Sequence, residues 1–116
     1  MASTMNGLLL YILRYVDGSP RIERCEDLIE WATWFETSGD DRQVANTVVG
    51  GATVSTVFLG LDHGHGMSDR PLLFETAVFR ADDVEILRRY STWAEAEAGH
   101  AAAVAAIREA NGQAKA

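Results

Sequence analysis

Val54-Ser55-Thr56-Val57-Phe58-Leu59-Gly60-Leu61-Asp62-His63-Gly64-His65-Gly66, with the run Pro71-Leu72-Leu73-Phe74-Glu75-Thr76-Ala77-Val78-Phe79 that follows it, decides the architecture of this chain. Both runs are rich in the β-branched and aromatic residues that suit strands. In the first, Val54, Thr56 and Phe58 point one way while Ser55, Val57, Leu59 and Leu61 point the other. Both sides are apolar or small, which predicts a central strand rather than an edge. In the second, Leu72, Phe74, Thr76 and Val78 alternate with Leu73, Glu75, Ala77 and Phe79, so Glu75 shares a face with three apolar neighbours. Between the runs lies a loop that gathers an Asp, two His and two Gly.

Working outward, residues 42–49 form another β-rich run, joined to 52–61 by Gly50-Gly51, a tight-hairpin signal. The acidic turn Ala81-Asp82-Asp83 leads to a last short strand near 85–90. A four-stranded antiparallel meander over 42–90 follows. Upstream, the apolar run 7–16 ends in Asp17-Gly18-Ser19-Pro20, strong turn chemistry. Apolar runs of this length suit helix or strand, and the turn that stops this one favours strand. Residues 25–36 have a helical pattern: Leu28, Trp31, Ala32 and Phe35 form the inward stripe, and Trp34 falls off it. An indole off the stripe suggests a pocket wall or a subunit contact. Cys25 reads as a cap at the start of that helix. At the other end, Thr92-Trp93-Ala94-Glu95 is a capping box opening an Ala-rich helix stopped by Asn111-Gly112. Trp93, Ala96, His100, Val104 and Ile107 share its apolar face, and residues 112–116 are expected to fray. The expected fold is α+β: a four- to five-stranded antiparallel sheet, one helix in the N-terminal half and one long C-terminal helix, in a single domain over 1–116.

The composition narrows function by exclusion. A length of 116 residues, with 47% hydrophobic and 23% charged, is that of one globular domain. The net charge of −7 disfavours non-specific binding to nucleic acid or to anionic membranes. Mimicry of nucleic acid would want carboxylates at phosphate-like spacing, whereas these acids are interleaved with bases. Cys25 is the single cysteine, so one chain can form neither a disulfide nor a thiolate cluster. The first residues lack the basic region of a signal peptide, and the apolar run 8–13 is too short to span a bilayer.

No GxGxxG, Walker loop or CxxC occurs, so no cofactor is implied. Asp62, His63 and His65 could face one divalent ion, with Glu75, His100 or Asp69 completing the set; the same residues also make a Gly-rich turn in which Asp62 bonds its own backbone. His100 on an apolar helix face is more often a core histidine satisfied by hydrogen bonding than a catalytic group. Arg88 and Arg89, with Arg42 and Arg80, form a candidate basic patch for a phosphate-bearing ligand, although strand arginines commonly pair with surplus acids.

Residues 54–63, 72–79 and 89–100 (Arg-Tyr-Ser-Thr-Trp-Ala-Glu-Ala-Glu-Ala-Gly-His) resemble a family of small proteins of unassigned function from tailed bacteriophages of GC-rich hosts. That family shares a VSTVFLGLDH-type strand, a PLLFETMVF-type strand and an RYSTWEEAEAGH-type helix. The likeness extends over about 24–108, with Ala77 where the family usually has Met and a shorter, less Gly-rich stretch at 80–84. It implies a phage accessory protein acting in the host cytoplasm as a homo-oligomer. The leading expectation is a non-catalytic binder of a host small molecule, such as a nucleotide defence signal, or of a host protein. Its tentative ligand residues are Asp62, His63, His65, Glu75, His100, Trp34 and Arg89. The alternative is a metal-assisted hydrolase centred on Asp62, His63 and His65.

Overall fold

The computed structural model describes residues 9–64 and 69–112. The chain runs β1 (Leu10–Val16), β2 (Ser19–Cys25), α1 (Leu28–Ser38), a 3-10 turn (Gly39–Arg42), β3 (Gln43–Val49), β4 (Ala52–Phe58), β5 (Phe74–Arg80), β6 (Asp83–Tyr90) and α2 (Trp93–Ala110). Strands β3-β4-β5-β6 form an antiparallel meander in that order, and β1-β2 is a separate hairpin. The fold is α+β, and β4 is central as its two-sided apolar pattern predicts. Among the described residues no helix is long and apolar enough to cross a membrane. Of the 112–116 tail expected to fray, residues 113–116 lie outside the described residues, as does His65.

Helix α2 covers one face of the meander. Its Ala96, His100 and Val104 are buried, against Val54, Thr56 and Phe58 of β4 and Phe74, Thr76 and Val78 of β5, each at most 1% exposed. Burying one large apolar side chain contributes about 1.5–3 kcal/mol, so this layer dominates the stability. The capping box forms as expected: Thr92 Oγ1 accepts from Glu95 N, and the Glu95 carboxylate accepts from Thr92 N.

Three elements depart from the sequence pattern. Ser19 to Cys25 is a strand, not the tail of a turn. The turn is only Asp17-Gly18, with φ of 52° and 80°, and Val16 pairs with Ser19 immediately after it. Positive φ at both central residues is the twist-matched hairpin geometry, and Pro20 is tolerated because a two-stranded ribbon is all edge. Helix α1 begins after Asp27, whose carboxylate accepts from Ile29 N and Glu30 N; Cys25 is instead a buried strand residue whose thiol donates to the Asp27 carbonyl. Its inward face is also rotated. Leu28 and Ala32 are exposed, while Trp31, Trp34 and Phe35 are half-buried.

That rotation is explained by where the indoles go. Trp31 Nε1 donates to the carbonyls of Gly60 (2.9 Å) and Tyr11 (3.1 Å), and Trp34 Nε1 donates to that of Leu13 (3.1 Å). A polar N–H on a large apolar body anchors best where a backbone acceptor meets the core; β1 supplies two such places and Gly60, just after β4, the third. Gly60 has φ of 78° and both indoles against its α-carbon, so strand β4 ends at Phe58 rather than continuing to Leu61. The chain there crosses to β1, where Tyr11 N bonds Gly60 O and Asp62 N bonds Leu9 O. The Trp34 ring then meets Phe58 edge-on at 5.8 Å, Phe58 meets Phe74 at 5.2 Å, and Phe74 meets Trp93 at 6.1 Å. Aromatic contacts thus join α1, the sheet and α2 into one core.

Candidate functional site

The residues singled out by sequence do not converge on one site. His100 lies 6% exposed between α2 and the sheet. Its Nδ1 is 2.8 Å from Thr56 Oγ1, its Nε2 is 2.9 Å from Thr47 Oγ1, and Thr56 Oγ1 is 2.6 Å from Thr76 Oγ1. Burial lowers the imidazole pKa below its ordinary value, so the ring is neutral at pH 7. A neutral ring donates from one nitrogen and accepts at the other, and threonine hydroxyls rotate to suit either tautomer. His100 is therefore a satisfied core histidine that ties α2 to three neighbouring strands.

Asp62 is also committed. It is 5% exposed, and its Oδ1 accepts from Gly64 N (2.8 Å) and Leu72 N (2.9 Å). His63 N bonds the Leu72 carbonyl across the same neck. The carboxylate staples the two ends of the 62–72 loop, the turn role that an Asp-His-Gly sequence allows. Among the described residues no group of three or more His, Cys, Asp or Glu is arranged to hold a metal. Replacing Asp62 with Ala leaves two backbone N–H groups unpaired and is expected to lower the unfolding free energy by about 2–4 kcal/mol. Asp62→Asn keeps an acceptor oxygen and should lose less; urea titration of the two variants measures the difference.

Glu75 faces away from His100. It pairs with Arg89 at 3.0 Å on the uncovered face of the sheet, with the two side chains 15% and 39% exposed. Thr76, not Glu75, faces α2, so Glu75 and His100 lie on opposite sides of the sheet. Trp34 does line a shallow depression, with Leu13, Tyr15 and Asp41, although its indole is mainly a packing element.

The larger concavity is one that the spacing of residues did not locate. An open cleft of about 700 Å³ separates β6 from α2. Its apolar wall comes from Leu72, Leu87, Ala98 and Ala102, and Tyr90 and Gly99 form its inner end. Arg70, Arg88 and Arg89 belong to its lining, the Arg89 guanidinium being turned to Glu75 on the opposite face of the sheet. Arg70 bonds Glu95 Oε1 at 2.9 Å, and this hydrogen bond holds the Glu95 carboxyl below its usual range. Arg89 is held by Glu75. Arg88 has no hydrogen bond or ion pair with any described residue.

The basic patch expected from Arg88, Arg89, Arg42 and Arg80 is thus reassembled. Arg42 stacks over the Phe35 ring at 4.0 Å and bonds Ser38, and Arg80 sits at the far end of β5 against Glu85. Arg70 replaces them, delivered by the segment before β5. The signal available in the sequence was the small-residue stripe Ala98, Gly99, Ala102 and Ala103, which leaves α2 without bulk on the side of β6. Protein-family models, curated proteins and solved structures yield no match to the chain.

Proposed function

We propose that the protein is a non-catalytic binder of a small anionic molecule of nucleotide type, taken up in the cleft between β6 and α2. The observation that carries this reading is Arg88, an uncommitted guanidinium beside an apolar wall in a chain whose net charge is −7. A phosphate needs a fork of donors, and Arg88 supplies one without first breaking an ion pair. A flat heterocycle needs apolar surface, which the alanine stripe and Tyr90 provide. Arg70 lines the same cleft, restrained by Glu95, so the site favours an anion without being strongly basic. Together with the likeness to phage accessory proteins, this supports sequestration of a host nucleotide signal in the bacterial cytoplasm.

Calorimetric titration with a panel of mono- and cyclic nucleotides tests it, with inorganic phosphate as the minimal probe. Binding is expected for at least one nucleotide, and Arg88→Ala should weaken it by roughly 10–100-fold, the worth of a charge-assisted hydrogen bond. Denaturing the complex should return the nucleotide intact. Conversion to a product would replace this reading with the hydrolase alternative. Equal affinity in Arg88→Ala would remove the cleft from consideration.

A further inference from the structure

We propose that the sheet face opposite α2 is an interface with a second copy of this chain. The strand registers assign that face three rows of side chains. Val48, Thr53, Phe79 and Val84 form the first, Asn46, Ser55, Ala77 and Ile86 the second, and Gln43, Val57, Glu75 and Arg89 the third. Among the described residues no helix covers them: Val48 is 70%, Val84 55%, Ile86 47% and Phe79 46% exposed. Large apolar residues gathered on a strand surface mark an interaction site more often than isolated ones do.

Charge identifies the occupant. The twelve positions hold one Glu and one Arg, paired with each other, so the face contributes −1 + 1 = 0 to a chain of net charge −7. A basic partner would want unpaired carboxylates here and an acidic one unpaired arginines; the face offers neither. Two copies of the chain repel each other over the rest of their surface and can approach closely only where that charge is absent.

The pattern is also self-complementary under two-fold symmetry, as an isologous contact requires. An axis lying in the face, parallel to the strands and passing between β4 and β5, turns each row onto itself. Phe79 then lies over Thr53 and Val84 over Val48, while the row containing Glu75 and Arg89 meets its own polar ends. Pairing through the free edge of β6 is the competing arrangement. It is opposed by the register shift between Thr76 and Ala77, where β6 bulges, because bulged edges resist strand addition. Four strands about 4.8 Å apart and seven residues rising about 3.4 Å each outline roughly 450 Å² in projection. That is a small footprint for an interface, so a weak, reversible dimer is expected.

Sedimentation equilibrium of the full chain across the micromolar range tests the assignment. The mass should rise from 12.7 kDa towards twice that value. Phe79→Arg should raise the dissociation constant roughly 30-fold or more, as loss of a central anchor does, with an unchanged circular dichroism spectrum. Val84→Lys, at a more exposed position, should do the same should Phe79→Arg fail to fold. Mixing Val48→Cys with Val84→Cys under oxidation should give a disulfide-linked heterodimer faster than Val84→Cys links to itself. A chain that stays at 12.7 kDa throughout, variants that leave dimerisation unchanged, or preferential Val84→Cys self-linkage from edge pairing would each overturn the proposal.

Discussion

Replacing Gly99 with alanine is expected to destabilise the protein by about 1–3 kcal/mol, the cost of forcing atoms into a filled core. The sign is opposite to the usual one. Glycine inside a helix is about 1 kcal/mol worse than alanine, because it loses more backbone freedom on folding. At this position, however, a Cβ would collide with the Oη, Cζ and Cε1 atoms of Tyr90. The tyrosine cannot simply turn aside. It is 9% exposed and packs in a cluster with Leu13, Phe58, Leu73, Phe74 and Ala96, and its carbonyl is fixed by Leu73 N at 2.8 Å. Ala98→Gly, one residue earlier on the exposed side, provides the control: it should cost about 1 kcal/mol through helix propensity alone. Urea unfolding of both variants decides the matter, and a Gly99→Ala protein more stable than wild type would show that the ring does not occupy that space. Gly99 and Tyr90 also line the cleft, so the displaced ring should weaken nucleotide binding as well.

How much of this was legible beforehand depends on the distance over which each feature is determined. The meander was legible because β4 and β5 carry strong strand patterns and two of its three connections announce themselves with Gly-Gly or an acidic pair. The capping box before α2 was legible for the same reason. Strand β2 was hidden by its composition: Pro20, Arg21, Glu23 and Arg24 leave Ile22 and Cys25 as its only apolar residues, and it is a strand because β1 pairs with it. The inward face of α1 was misassigned because a periodicity count treats Leu28 and Trp34 as equivalent hydrophobes. The indole N–H of Trp34 finds the Leu13 carbonyl, and that bond turns the helix. The cleft was half legible. Arg88 and Arg89 are adjacent in the chain, but Arg70 arrives from another segment, and no local pattern pairs it with Glu95. His100 was placed on the correct helix face by spacing alone. Its partners Thr47 and Thr56, and Thr76 bonded behind Thr56, come from three different strands, and only the sheet register brings them together around one ring.

That register makes the loss of His100 costly. His100→Ala is expected to lower the unfolding free energy by about 2–5 kcal/mol, comparable to emptying a large core side chain, and it also strands the Thr47 hydroxyl. The two flanking threonines should rank in a definite order. Thr56→Val removes the partner of both His100 Nδ1 and Thr76, leaving two buried groups unpaired. Thr76→Val leaves the Thr56–His100 bond intact and should cost about 1 kcal/mol or less. The pH dependence reports the burial of the ring. Because the folded imidazole has the lower pKa, the unfolded chain binds the proton first. Wild-type stability should therefore be full above about pH 6.5, the ordinary histidine value, and decline as pH falls through the interval down to the depressed folded value. Glu95, whose carboxyl Arg70 holds low, adds its own loss only in the more acidic carboxylate range. In His100→Ala the decline below pH 6.5 should be absent while the acid limb remains. Guanidinium titrations at closely spaced pH values give both limbs directly. A wild-type profile that is flat from neutrality down to the carboxylate range would mean that the imidazole is as easily protonated in the fold as in water, and that burial does not disfavour its charged form.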